Sequence, residues 1–243
     1  MIHSAAITNI GQKRRVNQDS YLVQENPVGN LPDLFVVADG MGGHRAGDYA
    51  SRFTVERLRT KIESAPETDM RSMVTRVLHE INTELRTIAA SDEAYYGMGT
   101  TCVLCTIDGS RLQVANIGDS RLYIAGKDGM RQVTVDHSLV EEMVLAGGIS
   151  EASARIHPDK NIITRAIGAE NGLNIDFFAA QLNEGELVLM CTDGLTNMVE
   201  DRRISAVLKE EATLEEKVRK LVSEANRNGG RDNITALLVD PFA

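Results

Sequence analysis

Four aspartates stand beside glycine or at the ends of apolar segments in this chain of 243 residues. They are Asp39 after LFVVA, Asp119 after LQVANIG, Asp193 after ELVLMCT, and Asp232 just before ITALLV. Strand ends in a packed sheet converge on a shared rim, and glycine lets the backbone come close to a ligand there. Converging carboxylates repel one another unless cations neutralise them. The pattern therefore predicts a site for hard divalent ions such as Mg²⁺ or Mn²⁺, which prefer oxygen ligands.

A plainer interpretation of these aspartates is open residue by residue, because Asp and Gly are common in turns. Asp119 fits it best, since it lies between two predicted strands and could be a hairpin tip. The set of four favours the metal interpretation. Two ions about 4 Å apart could lower the pKa of a bridging water and clamp a phosphoryl group for in-line attack.

The cysteines do not predict a second chemistry. Cys102 and Cys105 have C-x-x-C spacing, but they lie in an alternating β-branched segment in which positions i and i+3 point to opposite faces. We expect them and Cys191 to be buried thiols, not zinc ligands or a redox pair. No CxxxxxR segment supplies a cysteine nucleophile for phosphate chemistry.

The elements that must position the aspartates are mostly strands. Short alternating or apolar segments predict nine of them, bounded mainly by Gly, Asp or Asn. They are Ile2–Thr8, Ser20–Gln24, Leu34–Ala38, Thr100–Ile107, Arg111–Asn116, Leu122–Ala125, Ile175–Ala179, Leu187–Cys191 and Ile234–Val239.

Helical periodicity predicts three long amphipathic helices between these strands. The first carries Ala46 to Ile62, the second Met70 to Ile88, and the third opens with a Thr213–Glu216 capping box. Strands and hairpins interleaved with a few long helices favour an α+β sandwich over a doubly wound sheet.

The segment 138–167 mixes short helical pieces with Gly147-Gly148 and Pro158, which predicts a flap on the surface of the molecule. No linker-like stretch divides the rest, so we expect residues 1–243 to form a single catalytic domain.

The composition limits the partners and the location. The formal charge of −9 argues against a nucleic-acid partner, which needs clustered Lys and Arg. No apolar stretch approaches the ~20 residues that span a bilayer, and no leader pattern opens the chain. The sequence predicts a cytoplasmic protein with no membrane partner, and a monomer by default.

Seven motifs in order along the chain resemble those of the type 2C metal-dependent protein phosphatases (PPM), in their compact bacterial form. They are GQKRRVNQDS (11–20), VVADGMGGH (36–44), GMGTT (97–101), ANIGDSRLY (115–123), VDHS (135–138), TDGL (192–195) and GGRDNIT (229–235). The resemblance implies a four-layer α-β-β-α sandwich of two antiparallel sheets flanked by helices.

The resemblance also implies a metal-ligand set. Asp39 would bridge two ions, Mn²⁺ or Mg²⁺, and the Gly40 carbonyl would contact one of them. Asp193 and Asp232 would complete the second ion's ligands. A third, weaker ion would bind Asp119 with Asp193.

Residues outside the direct ligands have implied roles too. Asp19 would hold metal-bound water, and Gln18 stands where many relatives carry Glu, so any metal contact through water there would be neutral. Arg14, three residues before Asn17 in the motif, would grip the substrate phosphate with its fork of donors.

Two further assignments are less determined. Relatives with a His directly after the Asp-Gly pair use it as the acid for the leaving group, but this chain has Met41, which makes His44 the substitute; a turn histidine without an acid role, or a metal-bound water as the acid, fits equally. Asn233 would lie at the rim near the substrate and either orient water or bond Asp232.

The activity implied is hydrolysis of phosphoserine and phosphothreonine in proteins by direct attack of a metal-bridging hydroxide. The partners would be phosphorylated proteins and a bacterial Ser/Thr kinase whose action the enzyme opposes. Two alternatives are a metallohydrolase for small phosphate esters and a pseudophosphatase that only binds phosphoproteins. The second would predict damaged metal positions, and all four aspartates are intact.

Overall fold

The computed structural model describes residues 1–43, 46–169 and 171–243. Its strands, in chain order, are β1 (His3–Asn9), β2 (Asp19–Gln24), β3 (Leu34–Met41), β4 (Gly99–Thr100), β5 (Cys102–Asp108), β6 (Arg111–Ile117), β7 (Arg121–Gly126), β8 (Gly129–Gln132), β9 (Asp176–Gln181), β10 (Leu187–Cys191) and β11 (Ile234–Asp240). They form two antiparallel sheets. One has the strand order β1-β11-β10-β7-β8, and the other has β2-β3-β5-β6-β9 with β4 paired to β3.

Helices cover both outer faces of this pair of sheets. They are α1 (Ala46–Glu63), α2 (Met70–Ser91), α3 (Leu139–Leu145), α4 (Glu151–Arg155), α5 (Asp193–Thr196), α6 (Asp201–Leu208) and α7 (Leu214–Arg227), with a 3₁₀ turn at Glu93–Tyr95. The predicted capping box opens α7, where the Thr213 hydroxyl accepts from Glu216 N and the Glu216 carboxylate accepts from Thr213 N.

Three apolar clusters fill the spaces between the layers. One lies between α1, α2 and the β2-β3-β5-β6-β9 sheet, a second between the two sheets, and a third between the other sheet and α6 and α7. Burying an amphipathic stripe against a sheet face requires this layering. The four-layer α-β-β-α sandwich and the α+β class are therefore confirmed.

The period-2 alternation of β5 explains the cysteines. Cys102 packs toward the α1 and α2 layer, whereas Cys105 packs between the sheets. All three cysteines are free and buried, as expected. Burial raises the pKa of Cys102 to about 12, so its thiol is not a nucleophile near neutral pH.

Several elements differ from the sequence prediction. The strand predicted to end at Ala38 continues as β3 to Met41, so Asp39 lies within a strand and not after one. The reason is pairing on both sides, with β2 at Asp19 and with β4 at Gly40. The single strand predicted over Thr100–Ile107 is divided into β4 and β5, and β8 and the helices α5 and α6 were not predicted.

The segment predicted to form a flap contains α3 and α4. A bridge between Ser138 and Ile163 pairs the two ends of this segment with each other, and a bridge between Thr100 and Ile167 joins it to β4. Three of its apolar side chains are exposed: Leu145, Ile156 and Ile162. Among the described residues, no helix is both long and apolar enough to cross a bilayer.

Candidate active site

Asp39 and Asp19 lie directly opposite each other where β2 pairs with β3. The backbone of Asp39 is fixed by Thr101, whose hydroxyl accepts from Asp39 N at 2.9 Å and whose N–H donates to Asp39 O at 2.9 Å. The carboxylate of Asp39 accepts no hydrogen bond from any described residue. Next to it, Gly40 N donates to the Gln18 carbonyl at 3.0 Å. The strand pairing thus holds Asp39 at a fixed point of the rim, the end of the sandwich at which Asp19, Asp39, Asp119, Asp193 and Asp232 lie.

Asp193 is delivered from the other sheet by the end of β10, at the first residue of α5. A side chain on the following residue, Gly194, would collide with the backbone carbonyl of Asn233, so only glycine allows the two segments to approach. Asn197, one turn on, donates from Nδ2 to Asp193 Oδ2 at 2.9 Å. The other oxygen, Oδ1, is buried without a hydrogen-bond partner among the described residues.

Asp19 joins the two sheets at the rim. Its Oδ2 accepts from the hydroxyls of Thr192, at 2.9 Å, and Thr235, at 2.6 Å. Thr192 directly follows β10 and Thr235 lies in β11, which are strands of the opposite sheet. Thr235 N donates to the Thr192 hydroxyl at 3.0 Å, which locks the pair. Asp19 Oδ1 is buried and accepts no hydrogen bond from a described residue. One oxygen therefore holds the sheets together while the other stays available.

Asp232 and Arg14 form an ion pair at the outer edge of the rim. Arg14 Nη2 donates to Asp232 Oδ2 at 2.7 Å, and Asn233 N donates to Oδ1 at 2.8 Å. Both partners of the pair are partly exposed. The guanidinium predicted to grip phosphate is thus placed beside a predicted metal ligand.

The Asn233 side chain is buried and braces the loop that carries Arg14. Its Oδ1 accepts from Gln18 N at 2.9 Å, and its Nδ2 donates to the carbonyls of Ile10 and Val16 at 3.0 Å. The side-chain amide of Asn233 is therefore bonded to backbone groups through both its oxygen and its nitrogen. Its predicted place near the substrate, and its orienting of water, stay predictions; the backbone N–H of Asn233 bonds Asp232.

Asp119 lies in the turn between β6 and β7, as its hairpin position predicted. The next residue, Ser120, is fully buried, and its hydroxyl lies 2.8 Å from that of Thr101, which also bonds the backbone of Asp39. The turn is thereby tied to the strand that carries Asp39, so Asp119 is more than an exposed hairpin tip.

The aspartates of the rim influence one another's ionisation. Burial raises the pKa of Asp39 well above its ordinary value, and the charges of the other four add to this rise: Asp19, Asp193, Asp119 and Asp232. Burial likewise raises the pKa of Asp19 to about 7 and that of Asp193 to about 6. For Asp119 the rise is large, with burial first and Asp193 next among the causes. Such uncompensated carboxylates need cations to ionise together.

The donor set fits hard divalent ions. It offers carboxylate and carbonyl oxygens, including the unpartnered Oδ1 atoms of Asp19 and Asp193. No three His, Cys, Asp or Glu side chains within the described parts of the chain form a group that could hold an ion alone. Waters or phosphate oxygens would have to complete each shell, which is the usual habit of Mg²⁺.

Residues of the rim and of the flap line a common cleft of about 400 Å³. The rim contributes Asp119 and Asp193, the flap contributes residues such as Arg155 and Lys160, and Asp136 lines it as well. The flap is held to the α5–α6 segment by Lys160, whose Nζ donates to Asn197 Oδ1 at 2.8 Å, and by Arg155, which donates to the Thr196 carbonyl at 3.2 Å. Asn197 therefore contacts a flap cation and an acidic rim residue at the same time.

Sequence reasoning missed the residues that support the aspartates. Asn197 could have been found, because it stands four residues after Asp193 in what proves to be a helical turn. Thr192 and Thr235 lie within the motifs TDGL and GGRDNIT, but nothing in the local sequence indicates that their hydroxyls bond Asp19 across the two sheets. His44, the predicted acid, lies outside the described residues.

A four-layer sandwich that brings five aspartates to one rim defines a class of carboxylate-rich phosphatases. The model of the family "Protein phosphatase 2C" matches residues 11–238. The serine/threonine phosphatase stp of Listeria innocua is 40% identical over 245 residues, covering 98% of this chain and 96% of that protein. The chain belongs to the protein phosphatase 2C family, and its activity is that of a protein serine/threonine phosphatase, acting on phosphorylated proteins.

Solved structures agree with this assignment. The serine/threonine phosphatase of S. agalactiae superposes with a TM-score of 0.92 at 39% identity, covering 98% of this chain and 99% of that one. A second match is the catalytic domain of the phosphatase PstP in complex with two manganese ions, with a TM-score of 0.85 at 28% identity, covering 98% and 97%.

Proposed function

We propose that the acidic rim holds divalent ions for hydrolysis of phosphoserine and phosphothreonine. Asp39, the Gly40 carbonyl, Asp193 and Asp232 would hold two ions, Mn²⁺ or Mg²⁺, and Asp119 with Asp193 would hold a weaker third. The observation that carries this proposal is the set of buried carboxylates that raise one another's pKa, two of which keep an oxygen without a partner. The manganese ions named for PstP support it.

Ions at this rim would make water a nucleophile near neutral pH and would neutralise the charge on the phosphoryl group. The chain's own residues supply the remaining functions. Arg14 donates from its planar fork to phosphate oxygens. Asp19, held by two threonine hydroxyls, keeps one oxygen free to accept from a water at the rim.

Direct displacement by water is consistent with the buried state of all three thiols, which argues against a cysteine nucleophile. Burial keeps the pKa of all three thiols above the ordinary value, so none is a ready thiolate. The leaving alkoxide needs a proton. His44 or a water at the rim would supply it.

The wider setting is also proposed. The enzyme would act in the cytoplasm as a single-domain monomer and would oppose a bacterial Ser/Thr kinase, and it would need no nucleic acid or membrane. The bacterial serine/threonine phosphatases that it resembles support the phosphoprotein substrates, and the formal charge of −9 supports the absence of a nucleic-acid partner.

The test is phosphate release from a phosphothreonine peptide, with a phosphotyrosine peptide and a small phosphate ester as comparisons, in Mn²⁺, in Mg²⁺ and in EDTA. We expect release from phosphothreonine with either metal and none in EDTA. Release from the small ester alone would favour the metabolite hydrolase. Binding of the phosphopeptide without release in any metal would favour the pseudophosphatase.

Arg14→Ala is expected to lower kcat/KM on the phosphothreonine peptide by about 30- to 100-fold, mainly through KM. The reason is the loss of charge-assisted hydrogen bonds to phosphate, worth about 2–3 kcal/mol. Arg14→Lys should recover part of the loss, because an ammonium keeps the charge but not the fork. Steady-state kinetics with Arg15→Ala as the control checks this. An equal loss of kcat/KM in the Arg15 variant would contradict the assignment of the phosphate contact to Arg14 alone.

Asp119→Ala is expected to lower kcat by about 10-fold or more while the two tighter ions still bind, since other aspartates hold those. Calorimetric titration with Mn²⁺ would count the sites: the weak class should disappear and the tight class should remain. Loss of all Mn²⁺ binding would show that the third site is wrongly assigned.

A further inference from the structure

The imidazole of His137 is buried between the turn of Asp119 and the base of the flap, with 4% of its surface exposed. Three groups contact its ring nitrogens. Gly118 N donates to Nδ1 at 3.0 Å, and Nε2 lies 3.1 Å from both Asp176 Oδ2 and Arg165 Nη1. A backbone N–H can only donate, so Nδ1 must be the unprotonated nitrogen. The hydrogen of a neutral ring is then on Nε2, where the Asp176 carboxylate can accept it and the Arg165 guanidinium cannot.

The main chain of His137 also links the turn of Asp119 to the flap segment. Its N–H donates to the Gly118 carbonyl at 3.0 Å, and its own carbonyl accepts from Thr164 N, within the flap segment, at 2.8 Å. His137 therefore bonds both the N–H and the carbonyl of Gly118 and one residue of the flap.

Gly118 has little freedom to move away from this contact. Its φ is +101°, and a Cβ there would collide with the side chain of Thr101. Asp119 follows directly, and Ser120 after it is tied to the Thr101 hydroxyl. The acidic residue of the turn is thus held on one side by His137 and on the other by Thr101.

Asp176 and Arg165 complete the support. Arg165 Nη1 donates to Asp176 Oδ1 at 2.9 Å, which leaves Oδ2 for the histidine. Burial, the largest cause, lowers the pKa of His137, which keeps the ring neutral. A neutral imidazole with a fixed tautomer is the form that can accept from an amide.

We propose that His137 is a positioning residue for the phosphatase reaction, which fixes Asp119 at the rim by accepting the Gly118 N–H on Nδ1. This inference rests on the proposed role of Asp119. We therefore expect substitution of His137 to change kcat and Mn²⁺ binding at the weak site, and to leave the binding of phosphate by Arg14 unchanged.

Substitution of His137 by asparagine or by glutamine distinguishes the hydrogen bond at Nδ1 from the one at Nε2. The Asn oxygen stands near the position of Nδ1, and the Gln amide nitrogen near that of Nε2. His137→Gln keeps the contact to Asp176 and loses the one to Gly118. We expect kcat to fall about 10- to 100-fold, which corresponds to about 1.4–2.7 kcal/mol in the barrier, with KM changed less than about 3-fold. His137→Asn should recover most of this loss. His79→Gln, at an exposed histidine on α2, is the matched control and should change neither constant.

The weak Mn²⁺ class in calorimetric titrations gives a readout besides activity. It should be lost in His137→Gln and kept in His137→Asn. In a cycle with Asp119→Ala, the double variant with His137→Gln should be no slower than Asp119→Ala alone. Equal kcat losses in the Asn and Gln variants, or losses that multiply with that of Asp119→Ala, would overturn the inference.

Failure of the two proposals is distinguishable. If Asp119→Ala has normal turnover and Mn²⁺ binding, the proposed role of Asp119 is wrong; if it is impaired while His137→Gln is not, the role of His137 is wrong. Should both His137 variants fail to fold, ¹⁵N NMR of the histidines in the unmodified protein decides. Hydrogen on Nε2 is expected, and hydrogen on Nδ1 would overturn the inference.

Discussion

Asp193→Asn is expected to reduce kcat/KM on a phosphothreonine peptide by about 1,000-fold or more, on the order of 4 kcal/mol in the activation free energy. The substitution keeps the shape of the side chain and removes its charge. An amide oxygen at this position can still accept from Asn197, but it is a poor ligand for a hard divalent ion and cannot balance its charge. The measurement is steady-state kinetics together with calorimetric Mn²⁺ titration, in which affinity should fall in parallel.

Folding should survive this change, which keeps the kinetic result interpretable. The carboxylate of Asp193 is buried with one oxygen unpartnered, and burial raises its pKa to about 6, so its charge does not stabilise the metal-free fold. Thermal unfolding in EDTA should give a midpoint no lower than that of the parent. Asp128→Asn, in the exposed turn between β7 and β8, is the matched control. A near-normal rate for Asp193→Asn would show that the Asp193 carboxylate is not required for the reaction.

Long periodic segments explain why most of the sandwich could be predicted. The nine predicted strands each overlap an observed one, and the helices α1, α2 and α7 follow their apolar stripes. The elements missed are short or polar. β8 has the sequence GMRQ, which shows no apolar alternation, so its pairing with β7 makes it regular. α6 has an apolar stripe of Ile204, Val207 and Leu208 at helical spacing, but its eight residues are too few for the periodicity to be recognised over a window of about 11 residues or more.

The extension of β3 through Asp39 has the same cause. Asp and Gly disfavour strands, so the pattern predicted an end at Ala38. Pairing on both sides overrides that preference and places Asp39 opposite Asp19. The acidic residues themselves were predictable from the sequence, but the two threonine hydroxyls that hold Asp19 were not, because they lie 173 and 216 residues away along the chain.

The rim therefore depends on both sheets. Asp19 and Asp39 come from one sheet, and the threonines and Asp193 come from the other or its edge. A small change in how the sheets pack would separate these groups. The hydrogen bonds of Asp19 to Thr192 and Thr235 hold the two sheets together at the site itself. The same contacts therefore contribute both to the stability of the sandwich and to the geometry of the rim.

The stability of the metal-free protein is expected to fall as pH rises from about 4 to 8. The folded-state pKa of Asp19 is about 7 and that of Asp193 about 6, whereas both would ionise near their ordinary value of 3.8 in the unfolded chain. Because the folded-state values are raised, the unfolded chain releases protons first, and the stabilising effect present below pH 4 is lost as pH passes through 6 and 7. We expect a loss of several kcal/mol, seen as a fall of roughly 10 °C or more in the unfolding midpoint.

Divalent ions should reverse that trend, since they bind the ionised carboxylates of the folded rim and stabilise it by mass action. Differential scanning calorimetry at pH 5, 6, 7 and 8, in EDTA and in millimolar Mn²⁺ or Mg²⁺, measures both effects. The midpoint in EDTA should decline with pH, and the gain from metal should be largest at pH 8. Asp193→Asn should show a shallower decline and a smaller gain, while Asp128→Asn should match the parent. A midpoint in EDTA that stays level or rises with pH would mean that the rim carboxylates are already balanced by the chain itself, and the case for ions at this rim would lose its electrostatic basis.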